Sequence, residues 1–188
     1  MERVSIDVLY QGMRNKKEKK VSKILEWVIP FIIAAIVAIV LKYFILYKVE
    51  VPTGSMIPTI NKGDQIYVTK VYNTENIERG EILVFKSDEL NDTLIKRVIG
   101  LPGDEIEIVH GVVFVNGTKL DEPYVKNQQD YSGKFKVPAG KYFFLGDNRA
   151  NSGDARKWSN PYIDASKIEA KAQVRVYPFS DFGFISHR

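Results

Sequence analysis

The fold prediction rests first on residues 93–109, which read TLIKRVIGLPGDEIEIV. Two runs rich in apolar and β-branched residues, Thr93–Ile99 and Glu105–Val109, flank the turn signal Pro102-Gly103-Asp104. Similar short runs lie on both sides, and Asn116-Gly117 is typical of a tight hairpin turn. We predict further strands at Gln65–Val71, Glu81–Phe85, Val112–Val115, Lys141–Leu145 and Ala170–Tyr177. Many short strands with few helical periods predict a mostly β fold of antiparallel sheet, and the polar stretch 121–136 is expected to be a surface loop.

The N-terminal part of the chain has a different character. Residues 27–41 carry no charge, and Trp27, Tyr43 and Tyr47 stand where interfacial aromatic residues belong. A dense group of six basic residues lies just upstream of this run: Arg14, Lys16, Lys17, Lys19, Lys20 and Lys23. We therefore predict a cytoplasmic N-terminus over 1–23, a single transmembrane helix over 24–47 in the cell membrane, and an extracytoplasmic domain over 48–188.

Two other interpretations of the apolar run are possible. A cleaved signal peptide needs a small-x-small exit, and residues 42–50 contain none. A buried core helix is the second alternative, and the dense basic flank argues against it.

Composition excludes several classes of protein. Residues 1–46 hold eight Lys/Arg and four Asp/Glu, whereas residues 47–188 hold nineteen of each, so the folded domain has no basic excess for nucleic acid. The absence of cysteine excludes disulfides, thiolate metal sites and a cysteine nucleophile. We expect no metal or other cofactor.

The search for hydrolytic chemistry begins with the general base. His110 lies at a predicted hairpin turn and His187 is next to the last residue, so both are expected to be solvated surface residues. A Ser-Lys pair is the alternative. It needs a lysine whose pKa, normally about 10.4, is lowered by desolvation.

Residues 51–59, VPTGSMIPT, follow the apolar segment directly. Pro52 and Pro58 restrict the backbone on both sides of Ser55, which favours a fixed loop that presents this serine. The Thr53 hydroxyl and the Ser55 amide could together hold an oxyanion. A simple juxtamembrane linker is the other interpretation.

Two further segments are candidates. Strand alternation puts Leu94, Lys96 and Val98 on one face, where apolar neighbours could desolvate the amine. A surface lysine whose stem lies along the strand fits the same pattern. The loop 146–156 has opposite charges close together, which suits either a rigid ion-paired loop or an ordinary one.

Taken together, the segments resemble the bacterial type I signal peptidase family in order and spacing, over about residues 24–178. The resembling motifs are Gly54–Thr59, Gly63–Lys70, Lys96–Asp104 and Gly146–Arg156. The resemblance implies the antiparallel β core that this family shares with self-cleaving repressor proteases, with a small β insertion at about 105–140. The small insertion and single anchor resemble the Gram-positive branch, and Lys96 separates the chain from the endoplasmic-reticulum type, which has histidine there.

The resemblance also implies roles for particular residues. Ser55 matches the nucleophile, Lys96 the general base, Thr53 the oxyanion-hole hydroxyl and Ser152 the residue that orients the base. The structural members of the last motif are matched by Asp147, Arg149, Asp154 and Arg156. Two departures are Ala150 and Ala155, where the family commonly has polar residues and serine. Neither matches a dyad position, so we expect activity to survive.

The implied function is removal of signal peptides from exported preproteins, after small residues, by a membrane-bound serine endopeptidase. We expect the partners to be preproteins and the lipid bilayer, with no nucleic acid. Shallow pockets would explain the preference for small residues, and the expected lining residues are Val51, Met56, Ile60 and Ile95. The alternatives are another Ser-Lys protease of the self-cleaving type, and a catalytically inactive, membrane-anchored β domain that binds preproteins.

Overall fold

A computed structural model describes residues 26–40 and 46–186, in two compact units that divide between Ile45 and Leu46. In the first unit, residues 26–40 are α-helical, and their side chains are exposed. No helix within the described ranges is long and apolar enough to cross a bilayer. The rest of the predicted transmembrane segment, 24–25 and 41–45, lies outside the described residues. Its predicted end at Tyr47 is wrong, because Leu46 and Tyr47 belong to a strand that pairs with Thr69 and Val68.

The second unit is built around an eight-stranded antiparallel sheet. Its strands are β1 (Leu46–Glu50), β2 (Gln65–Lys70), β3 (Ile82–Ser87), β4 (Asp92–Gly100), β9 (Lys141–Leu145), β10 (Tyr162–Asp164), β11 (Ile168–Tyr177) and β12 (Gly183–Phe184). The spatial order is β1-β2-β11-β3-β4-β9-β10, with β12 paired to β11. Strand β4 therefore lies inside the sheet, paired on both edges, which fixes its side chains on defined faces.

The chain segment that connects β4 to β9 forms a smaller four-stranded sheet. It contains β5 (Glu105–Val109), β6 (Val112–Val115), β7 (Thr118–Lys119) and β8 (Gly133–Lys136) in the order β7-β6-β5-β8. Asn116 and Gly117 have φ values of 51° and 79°, as a tight turn with two left-handed residues requires. The prediction of a loop over 121–136 is wrong at its end, because β8 pairs with β5 through Ile106 and Phe135.

Two buried apolar clusters fill the second unit. The first joins the two sheets and includes Phe85 and Phe144, whose rings stack with centroids 4.3 Å apart. The second lies against β2, β3 and β11 and includes Val84 and Ile95. In β4, Leu94 packs against the first cluster and Ile95 belongs to the second, as strand alternation demands. Val98 and Ile99 both belong to the first cluster, at the point where the pairing of β4 with β9 shifts register. The predicted mostly β, antiparallel architecture is confirmed.

Candidate active site

Ser55 lies on the loop that joins β1 to β2. The ends of this loop are tied by hydrogen bonds from Val51 N to Asp64 O (2.9 Å) and from Gly63 N to Val51 O (2.8 Å). Met56, the next residue, is fully buried in the second cluster. The serine is thus held on an anchored loop, with 6% of its surface exposed.

Lys96 approaches this serine from the middle of β4. Its Nζ donates to Ser55 Oγ at 2.7 Å and to its neighbour's carbonyl, Ile95 O, at 3.1 Å. The lysine is 3% exposed, so the amine is almost completely removed from water. Of the two interpretations of Lys96, the surface stem is wrong and the desolvated amine is confirmed.

The surroundings of Lys96 favour its neutral form. Burial lowers the pKa of Lys96 from 10.5 to about 8, while the carboxylates of Asp154 and Asp147 act in the opposite direction. An amine with this pKa is neutral in a useful fraction of molecules near pH 7–8 and can accept a proton.

Two hydrogen-bond donors, the Thr53 hydroxyl and the Ser55 amide, belong to the segment that carries the serine side chain. Thr53 Oγ1 is 3.3 Å from Ser55 Oγ, and Thr53 is exposed to solvent. The Ser55 amide donates to no acceptor among the described residues. A solvent-exposed hydroxyl and an amide without an acceptor are the kinds of donor from which oxyanion holes are built.

Buried ion pairs hold loop 146–156 in place, and one of them joins the loop to β4. Asp147 accepts from Arg97 Nε at 2.9 Å and from Arg97 Nη2 at 2.7 Å, and both side chains are almost completely buried. The Thr59 hydroxyl donates to the same carboxylate at 2.5 Å. Asp154 accepts from Arg156 Nη2 at 2.8 Å. The rigid ion-paired loop is therefore observed.

Ser152 does not make the hydrogen bond to Lys96 that we expected. Its Oγ is buried and has no hydrogen-bond partner within the described part of the chain. The predicted orienting bond to Lys96 is absent, because the amine donates to the serine hydroxyl and to the Ile95 carbonyl instead. Ser152 nevertheless lies close to Gly146, where an added Cβ would overlap its hydroxyl.

The family model described as "Signal peptidase, peptidase S26" matches residues 24–177. The chain belongs to this signal peptidase family. Signal peptidase IB of Staphylococcus aureus (strain COL) is 37% identical over 180 residues, covering 85% of this chain and 93% of its own length. A probable signal peptidase I-2 of Synechocystis is 38% identical over 161 residues, covering 81% of this chain and 73% of its own length.

A solved structure is also similar. A signal peptidase I from Enterococcus faecalis V583 has a TM-score of 0.45 and 29% identity, over 51% of this chain and 96% of that chain. Family membership confirms the resemblance and makes the chain a peptidase, a hydrolase of the class that cleaves signal peptides.

The residues expected to line the pocket of this signal peptidase are core residues. All four belong to the second buried cluster: Val51, Met56, Ile60 and Ile95. Met56 and Ile60 have 0% exposure, so they shape the loop from beneath and do not line an open surface. The two departures from the family pattern lie in the same loop as the ion pairs: Ala155 is buried, and Ala150 is half-buried.

Other side chains were missed by the sequence analysis. Arg97 directly follows Lys96 inside an apolar strand, and this adjacency was a signal that its side chain is buried as well. Glu122 and Asn148 had no signal of their own. His110 is exposed beside Asp130, and His187 lies outside the described residues. In 26–40 and 46–186, no group of three His, Asp or Glu could hold a metal ion.

Proposed function

We propose that this signal peptidase cleaves exported preproteins with Ser55 as nucleophile and Lys96 as general base. The single observation that supports this most is the 2.7 Å contact between Lys96 Nζ and Ser55 Oγ inside a buried site. The lowered pKa of Lys96 supports the same assignment, because a lysine that keeps its proton cannot act as a base.

The proposed reaction is acyl transfer in two steps. Neutral Lys96 takes the Ser55 proton while Oγ attacks the scissile carbonyl, and the carbonyl oxygen becomes an oxyanion held by Thr53 Oγ1 and the Ser55 amide. Collapse of this intermediate breaks the C–N bond, and the Lys96 ammonium gives its proton to the leaving amine. Lys96 then deprotonates a water that attacks the acyl-enzyme, and the returning proton restores the Ser55 hydroxyl.

The preference for small residues before the cleaved bond is part of the proposal. The buried residues beneath the nucleophile loop, Met56 and Ile60 among them, belong to a packed cluster. Close-packed interiors resist rearrangement, so a large substrate side chain would find no deep pocket under this loop.

Membrane attachment is proposed from the sequence around the first unit. The charge-free run 27–41 follows a basic segment, and the positive-inside rule then leaves residues 48–188 outside the cytoplasm. We expect the full chain to stay with membranes after alkaline extraction. Externally added protease should reach only residues beyond the run, and release into the soluble fraction would contradict the anchor.

Cleavage in trans separates this proposal from its alternatives. The full chain in detergent is mixed with a purified preprotein, and the new N-terminus is identified by mass spectrometry. Wild type should cut at the signal junction, and Ser55→Ala and Lys96→Ala should not. The matched controls, the exposed-residue variants Ser159→Ala and Lys86→Ala, should cut normally.

Each alternative predicts a different result. A self-cleaving protease would cut its own chain and leave the preprotein intact. A silent binding domain would retain the preprotein without product in every variant. Cutting by either dyad variant would contradict the Ser-Lys assignment.

A further inference from the structure

Asn148 holds the backbone of the nucleophile. Its Nδ2 donates to Gly54 O at 3.0 Å, and its backbone N–H donates to Ser55 O at 3.0 Å. The Gly54 carbonyl and the Ser55 amide belong to one planar peptide group and point in opposite directions. A bond that fixes the Gly54 carbonyl therefore also fixes the direction of the Ser55 N–H.

The side-chain amide of Asn148 is itself oriented by two donors. Asn127 Nδ2 donates to Asn148 Oδ1 at 2.8 Å, and Asn151 Nδ2 donates to the same oxygen at 3.3 Å. The amide oxygen can only accept and the amide nitrogen can only donate. Two donors on the oxygen side thus leave the nitrogen facing Gly54 O.

Asn127 belongs to a segment that is tied firmly to the site, residues 121–131, which we term the strap. Its Glu122 forms a two-pronged ion pair with Arg149, one prong at 3.0 Å, and these side chains are only 7% and 3% exposed. The Tyr124 ring covers the Arg97 guanidinium at 3.8 Å from its centroid. The segment predicted as a surface loop is therefore joined to the catalytic core.

The strap also meets loop 146–156 through its backbone. Ala150 N donates to Asn127 O at 3.1 Å, which holds Asn127 in place beside the Asn148 side chain. Gln129 Oε1 accepts from Arg156 Nη1 at 3.1 Å. A continuous series of contacts thus runs from the strap through Asn148 to the nucleophile's peptide group.

We infer that Asn148 is a positioning residue that aims the Ser55 N–H at the developing oxyanion, and that the strap sets Asn148 through Asn127. This inference rests on the proposed function, because it assigns a task to the Ser55 amide in that reaction. The charge on the oxyanion appears only as the carbonyl is attacked, so a misdirected donor weakens transition-state binding and leaves substrate binding intact.

The test uses the full chain in detergent with a preprotein substrate. Asn148→Ala should lower kcat by roughly 10- to 100-fold with little change in KM, since loss of one oxyanion-hole donor costs about 10²–10³-fold. Asn127→Ala, at an exposed position, should lower kcat by about fivefold, the effect of one neutral hydrogen bond. Asn160→Ala is the matched control, because within the described ranges Asn160 hydrogen-bonds only with Glu89 and Tyr162, away from the dyad.

A second measurement separates positioning from general stability. A peptide boronate adds to the serine oxygen to give a tetrahedral anion that resembles the intermediate. Its affinity should fall in each variant by the same factor as kcat/KM, while the pH at half-maximal kcat/KM stays at the wild-type value, because Lys96 keeps its surroundings.

The outcomes distinguish failure of the proposed function from failure of the positioning role of Asn148. Activity in Ser55→Ala would overturn the proposed function itself. Inactive Ser55→Ala with wild-type kinetics in Asn148→Ala and Asn127→Ala would overturn the inference alone. If Asn148→Ala proves unstable, Asn127→Ala decides, and a rise in KM alone, or unchanged boronate affinity, would count against positioning.

Discussion

Replacing Lys96 with methionine should abolish cleavage and also remove a pH-dependent cost from the folded state. Methionine keeps an unbranched apolar stem of similar size but has no amine to charge. In the wild type, burial lowers the pKa of Lys96 from 10.5 to about 8. This difference corresponds to about 3 kcal/mol between the charged and neutral forms.

The direction of the effect follows from the two pKa values. Between about pH 8 and 10.5 an unfolded lysine keeps its proton while the folded Lys96 has lost it, so wild-type stability rises with pH in this window. Below pH 8 both states are protonated and the full cost is present. The stability advantage of Lys96→Met should therefore shrink by about 3 kcal/mol as the pH rises through the window.

The assay is urea unfolding of the full chain in detergent at several pH values from 7 to 10.5. Taking the difference between wild type and Lys96→Met cancels the other titrating groups, and Ser55→Ala is the control that is inactive yet retains the amine. In parallel, wild-type kcat/KM should be half-maximal near pH 8 and fall to about a tenth of its maximum at pH 7. Parallel stability curves for wild type and Lys96→Met, or an onset of activity near pH 10, would refute a desolvated base.

Three further predictions concern Thr53, Gly146 and the ion pair of Arg97 with Asp147. Thr53→Val should lower kcat by about 10²-fold with KM preserved, whereas Thr53→Ser should retain most activity, because only the hydroxyl is needed; equal losses in both would point to packing instead. Gly146→Ala should abolish cleavage, since a Cβ there would lie 2.5 Å from the nucleophile's carbonyl oxygen, while Gly153→Ala, with open space around it, should cut normally. Arg97→Met should lower the free energy of unfolding by about 3–5 kcal/mol by leaving a buried carboxylate unpaired, and adding Asp147→Leu should restore much of it. Urea titration measures this last pair, and no recovery in the double variant would contradict the account.

Much of the fold could be predicted because most strands carry their own signal. Runs such as Val112–Val115 and Lys141–Leu145 are apolar and bounded by turn residues, and the structure has strands with the same limits. Leu46–Glu50 had no such signal, because its apolar start continues the preceding run. Its strand character comes from pairing with β2, a tertiary contact that local propensity does not encode.

In the candidate site, too, some features could be predicted from local sequence and others depend on tertiary contacts. Ser55 and Lys96 are 41 residues apart in sequence, and only the resemblance to a family linked them before the structure showed their contact. Glu122 and Asn127 lay in a polar stretch whose composition indicates a loop. Their role depends on partners 27 and 21 residues away, Arg149 and Asn148, so no local pattern could reveal it.

Because Lys96 and Arg97 are consecutive on β4, the register in which this strand pairs during folding decides which side chain faces Ser55. A slip of one residue in strand pairing would turn every β4 side chain to the opposite face. The position opposite Ser55 would then receive Arg97 or Ile95, according to the direction of the slip. A guanidinium keeps its proton and an alkyl side chain has no basic atom, so neither can act as a base. On the proposed mechanism, a mispaired chain is proteolytically silent, and the ability to cut other proteins appears only when the sheet has closed in its proper register.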